Sequence, residues 1–132
     1  MGPGLTLDTG ALIAIEEATV KRVRSRLYLV LEAALRGRRR VTVPSAVVVE
    51  WWREQRGPAA TILRGLTVEP LSHELARIAG AALAKCADGP SAIDAVVVAS
   101  AAQRGDIVYT SDVDDLERVR DAAFPGVRIL RI

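Results

Sequence analysis

The chain has 132 residues, half of them hydrophobic and 26% charged, with a formal net charge of +2; this is the balance of a folded domain with one substantial core, not of a disordered chain. The longest apolar run is too short to span a bilayer, no charged leader with a cleavage site is visible, and the single Cys86 cannot close an internal disulfide, so a cytoplasmic protein with no membrane segment is expected. Positive charge is concentrated in the first 56 residues, with ten Lys/Arg against six Asp/Glu there and eight against ten afterwards; sixteen of the eighteen basic residues are Arg, which suits an anionic partner such as nucleic acid as well as a solvated helix face.

Residues 1–132 read as a single domain, with Gly2-Pro3-Gly4 left out of the fold reading. Leu5-Thr6-Leu7 is a short strand closed by Asp8, after which Thr9-Gly10 leads into the apolar segment Ala11 to Ile15. Asp8 at this point is an ordinary helix N-cap as well as a candidate site acid. From Thr19 to about Arg36 the residues Val23, Leu27, Val30, Leu31, Ala34 and Leu35 recur at helical spacing, which predicts one surface helix ending at Gly37. Its outer face carries Lys21, Arg22, Arg24, Arg26 and Arg36, and Arg38, Arg39 and Arg40 follow.

Arg40 to Val43 is a second strand, and Pro44-Ser45 stops it and caps the next helix. That helix holds Glu50 between Ala46-Val47-Val48-Val49 and Trp51-Trp52, so a carboxylate is expected among buried side chains, needing a cation, an Arg partner or an outward orientation. Adjacent Trp on a helix point about 100° apart, which leaves two arrangements open: one ring in the core and the other near the surface, or both rings buried by the following helix. After Gly57-Pro58, Ala59 to Leu63 is helical and Thr67 to Pro70 a third strand; Ser72 then caps a helix from His73 to about Cys86. His73 has no second His or Cys at ligand spacing, which argues against zinc, and it stands at the opposite end of its helix from Cys86, which argues against a Cys–His nucleophile.

Ser91 caps a nearly all-apolar helix, Ala92 to Gln103, that carries Asp94; Gly105 ends it, Ile107 to Tyr109 is a fourth strand, and Thr110, Ser111 and Asp112 stand at its carboxyl end with Asp114 and Asp115 close by. Val113 to about Arg120 is the last helix, and Val127 to Ile132 alternates as a final edge strand with one buried face. Five strands joined by four helical crossovers predict a parallel sheet with helices on both faces, an α/β/α sandwich. In such sheets ligands bind outside the carboxyl ends of the strands, where Asp8 and Asp112 fall.

Taken singly, Asp8, Asp94 and Asp112 each have a capping role available, since Asp94 stands three residues after Ser91 and Asp115 three after Asp112. Taken together with Glu50, which stands too far from Ser45 for a capping box, they predict converging carboxylates that repel one another and bind protons or a cation. Oxygen ligands with no Cys or His beside them select magnesium or manganese.

The stretches LDTGALIAIE, VPSAVVVEW, SAIDAVVVASA and VYTSDVDDL resemble the acidic motifs of PIN-domain nucleases, in particular VapC-type toxins, over nearly the whole chain. The resemblance implies a compact PIN-like α/β/α sandwich and metal-dependent cleavage of RNA, with the four acids falling on Asp8, Glu50, Asp94 and Asp112, an additional acid on Asp115 and a hydroxyl residue near the metal on Thr110. It also implies a homodimer and a cognate antitoxin whose tail silences the site, with an exposed Trp beside Glu50 as candidate contact. The chain departs from the pattern at Gly10, where many relatives have Ser, and at the acidic corner, where Asp114 competes with Asp115; Asp115 is preferred because it faces the same helix end as Asp112.

Other Asp-based enzymes fit less well. A haloacid-dehalogenase-type phosphatase needs a second Asp where Gly10 stands, and a response-regulator receiver needs a late Lys, whereas no Lys follows Lys85. The serious alternatives are a PIN-like module that binds RNA or protein without cutting it, and an RNA-processing nuclease that is not a toxin.

Overall fold

A computed structural model describes residues 2–53 and 57–132. Five strands, β1 (Leu5–Leu7), β2 (Val41–Pro44), β3 (Thr67–Glu69), β4 (Ile107–Thr110) and β5 (Arg128–Arg131), form one sheet in the order β3-β2-β1-β4-β5, with every pairing parallel. The chain steps outward from β1 through β2 to β3, then returns to the other side of β1 for β4 and β5. Right-handed crossovers therefore put the first helices on one face and the later ones on the other. On one face α1 (Thr9–Lys21) packs against α2 (Arg26–Arg36), α3 (Ser45–Trp51) and α4 (Gly57–Arg64); on the other α5 (His73–Ala84), α6 (Ala92–Arg104) and α7 (Asp114–Ala123) pack on one another. This is the three-layer α/β/α sandwich expected from the sequence. No helix among the described residues is long and apolar enough to cross a membrane.

The segment Thr19–Arg36 corrects the sequence reading: it is two helices, not one. Arg22 takes the left-handed conformation (φ 54°) and caps α1, and the Ser25 hydroxyl accepts from the Tyr28 amide 3.1 Å away to start α2. The apolar period runs through the break because both helices bury residues against the same sheet, so periodicity alone could not reveal it. Ser45 also differs. The N-cap of α3 is Pro44 and has no side-chain bond; the Ser45 hydroxyl instead accepts from the Leu71 amide at 3.0 Å, tying the segment after β3 to the start of α3. Gly4 belongs to the fold: its carbonyl accepts from the Ile107 amide, and a Cβ there would stand 2.6 Å from Asp106 Oδ1 and 2.8 Å from the Arg40 carbonyl.

Leu5 and Leu7 on one side of β1, with Val43, Val97, Val98 and Val108, are fully buried, and α6 is buried at every position from Ala95 to Ala101, as its apolar sequence requires. Each of these Leu and Val side chains contributes about 1.5–3 kcal/mol on leaving water. Thr6 turns to the α6 face and joins a polar cluster at the other end of that helix. Arg104 donates from Nε to Asp106 (2.9 Å), from Nη2 to the Thr6 and Ser100 hydroxyls (2.8 Å each), and from Nη1 to Glu69; Thr6 donates to Asp106, and Ser100 to Glu69. Here α6, β1, β3 and the start of β4 are bound by one guanidinium whose side chain is only 17% exposed. Removing one partner of such a cluster strands the other charges in a poorly solvated place. Arg104→Ala should therefore lower unfolding free energy by about 3–5 kcal/mol in denaturant titrations, whereas Arg36→Ala, which loses an exposed i,i+4 pair with Glu32, should cost under about 0.5 kcal/mol.

Candidate active site

Parallel pairing of Leu7 with Tyr109 sets the carboxyl ends of β1 and β4 side by side, where the chain changes direction across the sheet. Asp8 leaves β1 there and caps α1, its Oδ1 accepting from the Ala11 amide at 2.9 Å. The fully buried Thr110 hydroxyl, at the end of β4, bonds Asp8 Oδ2 and lies 3.0 Å from the Asp112 amide. A hydroxyl has one proton, and the carboxylate is the stronger acceptor, so Thr110 donates to Asp8 and accepts from Asp112. Thr110 thus fixes both the orientation of Asp8 and the turn carrying Asp112.

The fold brings Asp94 to the same end because α6 runs back toward the amino end of β4. Asp94 closes a capping box: its Oδ2 accepts from the Ser91 amide at 2.8 Å, and the Ser91 hydroxyl accepts from the Asp94 amide at 3.1 Å. Its Oδ1 has no hydrogen-bond donor among the described residues. Burial raises the pKa of Asp8 above its ordinary 3.8, and the negative charge of Asp94 raises it further; the bonds from Thr110 and Ala11 act the other way and do not cancel the rise.

Glu50 is exposed, the outward orientation that its sequence setting left open beside a cation or an Arg partner. The helix is short, Val49 beside it is 76% exposed, and it is Trp51 that enters the core at 3%. Glu50 Oε1 accepts from the Thr9 hydroxyl, which ties it to the first residue of α1 beside Asp8. Trp52 is half-buried and meets Trp51 edge-on, so of the two arrangements the division between an inward and an outer ring is observed, although the outer ring still packs on the core. Asp112 is exposed, its Oδ1 3.3 Å from the Asp114 amide, and Asp114 is exposed too. Asp115 is half-exposed and stands 3.8 Å from Arg118, whose guanidinium also donates to the Asp88 carbonyl; its charge is compensated locally, and it lies against the Gly89 turn.

Asp8, Thr110, Asp94 and the Asp112 turn therefore meet, Glu50 is tied to Thr9 beside them, and Asp115 stands next to Arg118 at the Gly89 turn. No three His, Cys, Asp or Glu side chains among the described residues lie close enough to form a closed metal cage. The donor chemistry nonetheless fits a hard cation at the Asp8–Asp94 pair: a half-buried carboxylate whose protonation is favoured by desolvation and a neighbouring acid is relieved by a positive charge. The Thr9 contact with Glu50 was not legible in sequence, where Thr9 was read only as part of a turn. Arg38, Arg39 and Arg40, by contrast, lie before β2 at the amino ends of the strands, away from the acids.

An α/β/α sandwich with acids at the switch point of a parallel sheet defines the class, and comparison with solved structures narrows it. No family profile and no curated protein sequence matches the chain. Among solved structures it is similar to VapBC2 from Rickettsia felis bound to a promoter DNA fragment (14% identity, 97% of this chain and 98% of that chain, TM-score 0.73). It is similar also to DNA-bound VapBC from Salmonella typhimurium (19%, 98% and 98%, TM-score 0.68) and to Mycobacterium tuberculosis VapC20, a sarcin-ricin loop cleaving toxin (19%, 95% and 99%, TM-score 0.63). The chain has the fold of these toxin–antitoxin proteins, the PIN-like fold that its motifs implied.

The direction of the Asp8 shift gives a stability test in metal-free buffer. Because its folded pKa is raised, the ionised carboxylate costs the fold nothing below the ordinary 3.8 and its full amount above the raised value. Asp8→Asn, which keeps the shape and can still cap α1, should melt higher than wild type at neutral pH with chelator present. The gap should close as pH falls through that window, and magnesium should raise the melting temperature of wild type alone. A gap independent of pH would mean that the Asp8 charge is not under strain.

Proposed function

We propose that the chain is a ribonuclease dependent on a divalent metal, magnesium or manganese, and the toxin of a toxin–antitoxin pair. The observation that carries this reading is the half-buried Asp8 carboxylate at the β1–β4 switch point, oriented by Thr110, facing the charge of Asp94 and raised in pKa. Perturbed acids in such a place mark functional sites more often than structural ones. The similarity to a toxin described as cleaving the sarcin-ricin loop, and to VapBC complexes, supports RNA as substrate and an antitoxin as partner.

Asp8 and Asp94 would hold the metal, with Asp112 joining from its exposed turn and Glu50 directly or through water. When bound, the cation supplies an activated water and offsets charge developing on the phosphate. Thr110 keeps Asp8 from turning away, a positioning role on which ligand geometry depends. Glu50, fixed by Thr9 at the rim, points its second oxygen toward solvent and the approaching RNA. Asp115, paired with Arg118, serves as the additional acid only when that exposed pair opens. In this reading residues 1–132 act as one nuclease domain, working in the cytoplasm, dimerised with a second copy and silenced by the antitoxin.

The lack of a closed cage among the described residues favours one alternative, a PIN-like module that binds RNA or protein without cleaving it. Purified protein incubated with RNA and magnesium separates the two. Cleavage should stop with chelator and fall at least about 100-fold in Asp8→Asn and Asp94→Asn, the scale on which loss of metal-organising groups acts. Glu50→Gln should lose comparable activity with stability within about 0.5 kcal/mol of wild type, because its side chain is exposed. Binding without cleavage at any metal concentration supports the alternative, and cleavage that survives chelation refutes the metal.

A further inference from the structure

The acid corner has a basic edge that the sequence did not reveal. Parallel register pairs Thr110 with Arg131, so Arg131 stands at the carboxyl end of edge strand β5, level with the buried hydroxyl that orients Asp8. Its Nη1 donates to the Ser111 carbonyl at 3.3 Å, and its side chain is exposed. Among the described residues Arg131 has no carboxylate partner, whereas Arg118, Arg104 and Arg120 are all spent on ion pairs. A guanidinium offers five donors, so after its anchor most remain free.

Ser111 itself is locked in place from the other side. Its hydroxyl occupies the space that a Cβ on residue 10 would fill, over the first turn of α1, and the Ser111 amide and Cβ also line that space. Gly10 thus permits a close approach: the Ser111 segment lies over the start of α1, and a side chain at position 10 would have to push the Ser111 hydroxyl aside. That contact fixes the carbonyl to which Arg131 is tethered.

We propose that Arg131, tethered to the Ser111 carbonyl, binds a backbone phosphate of the RNA and seats it beside the acidic pocket, with Ser111 acting as a positioning residue through its contact with Gly10. The inference rests on the nuclease reading above and adds the substrate-binding group. The acids repel a polyanion, so a fixed positive charge next to them is needed to hold a phosphodiester close while leaving the acids for a cation. Arg suits the role because its fork bonds a carbonyl with one nitrogen and phosphate oxygens with others; Lys supplies charge without that double attachment.

The test uses the full-length chain with RNA and magnesium for kinetics, and the Asp94→Asn background for binding without cleavage. Arg131→Gln should raise KM and the binding Kd roughly tenfold or more, the worth of one charge-assisted bond, leave kcat within about twofold, and reduce the slope of log Kd against log salt by about one. Arg131→Lys should restore the salt slope but only part of the affinity. Gly10→Ala, which displaces the Ser111 side chain, should raise KM in the same direction with the melting temperature of wild type, and adding Arg131→Gln to it should cause little further loss. An Arg131→Gln variant with wild-type Kd, KM and salt slope overturns the proposal while metal-dependent cleavage lost in Asp8→Asn leaves the nuclease reading standing. Wild-type protein that neither binds nor cleaves RNA overturns both.

Discussion

The parallel pairing of β1 with β4 is the constraint on which the rest of the site depends. With Leu7 opposite Tyr109, the next residues on the two strands are Asp8 and Thr110, and a hydroxyl and a carboxylate separated by 102 positions in sequence come within bonding distance. Moving either strand by one residue would turn Asp8 into the core or away from Thr110 and invert the faces of Leu5 and Leu7, which are fully buried. The register that fills the core is therefore the register that builds the site. The strand order does the remainder: since β1 and β4 are where the crossovers reverse, α1 starts on one face and α6 on the other, and both present their N-termini to the same crevice.

The two ends of the sheet treat buried charge in opposite ways. At the amino end Asp106 is almost wholly buried but faces Arg104 and the Thr6 hydroxyl, and Glu69 shares the same guanidinium, so each acid has a cation. At the carboxyl end Asp8 has only neutral donors, Thr110 and the Ala11 amide, and faces another acid. A paired buried charge fixes geometry, and removing its partner is what costs stability; an unpaired one is a standing cost that the remaining fold must carry. The Arg104 cluster, which clamps α6 to β1 and β3, keeps the helix bearing Asp94 in place while that cost is borne. Asp106 and Asp8 thus differ in partner as well as in depth: a guanidinium faces the more buried acid, and only neutral donors and another acid face the half-buried one.

The architecture was legible because it follows from pattern: five β-type runs, four connections of helical length, and capping residues such as Ser72, Ser91 and Gly105 that mark helix ends by their own chemistry. The site acids were legible as candidates because Asp8 and Asp112 fall at strand ends and Asp94 follows a capping Ser. What sequence could not supply was the state of each side chain. The apolar neighbours of Glu50 left a cation, an Arg partner and an outward orientation open, and α3, with only seven residues, leaves Val49 and Glu50 outside. Spacing placed Asp115 beside Asp112, but it could not show that Arg118, one turn along the same helix, stands 3.8 Å from it. The break between α1 and α2 was hidden for a related reason: the left-handed Arg22 is not a residue type that announces such a conformation, and Ser25 was one polar residue among several basic ones.

Charge distribution left two readings open in the sequence, an anionic partner and a solvated face, and distance bears on the choice. The densest Arg run, Arg38 to Arg40, precedes β2, and Asp8 follows β1 at the opposite end of the sheet. A strand of four residues spans about 13 Å at about 3.3 Å per residue, beyond the screening length of about 8 Å at physiological ionic strength. Exposed charges at the amino end therefore do little to the potential felt at the acids, and Arg39 is already used in part to hold the Pro3 carbonyl. Net charge draws a polyanion toward the molecule as a whole. Within a few ångströms of the acids the contacts that count are local ones: the Thr110 hydroxyl on Asp8, the Ser111 segment over Gly10 and the Arg131 guanidinium on the Ser111 carbonyl. A chain with the same composition and its Arg residues redistributed would keep the net charge and lose the last of these contacts.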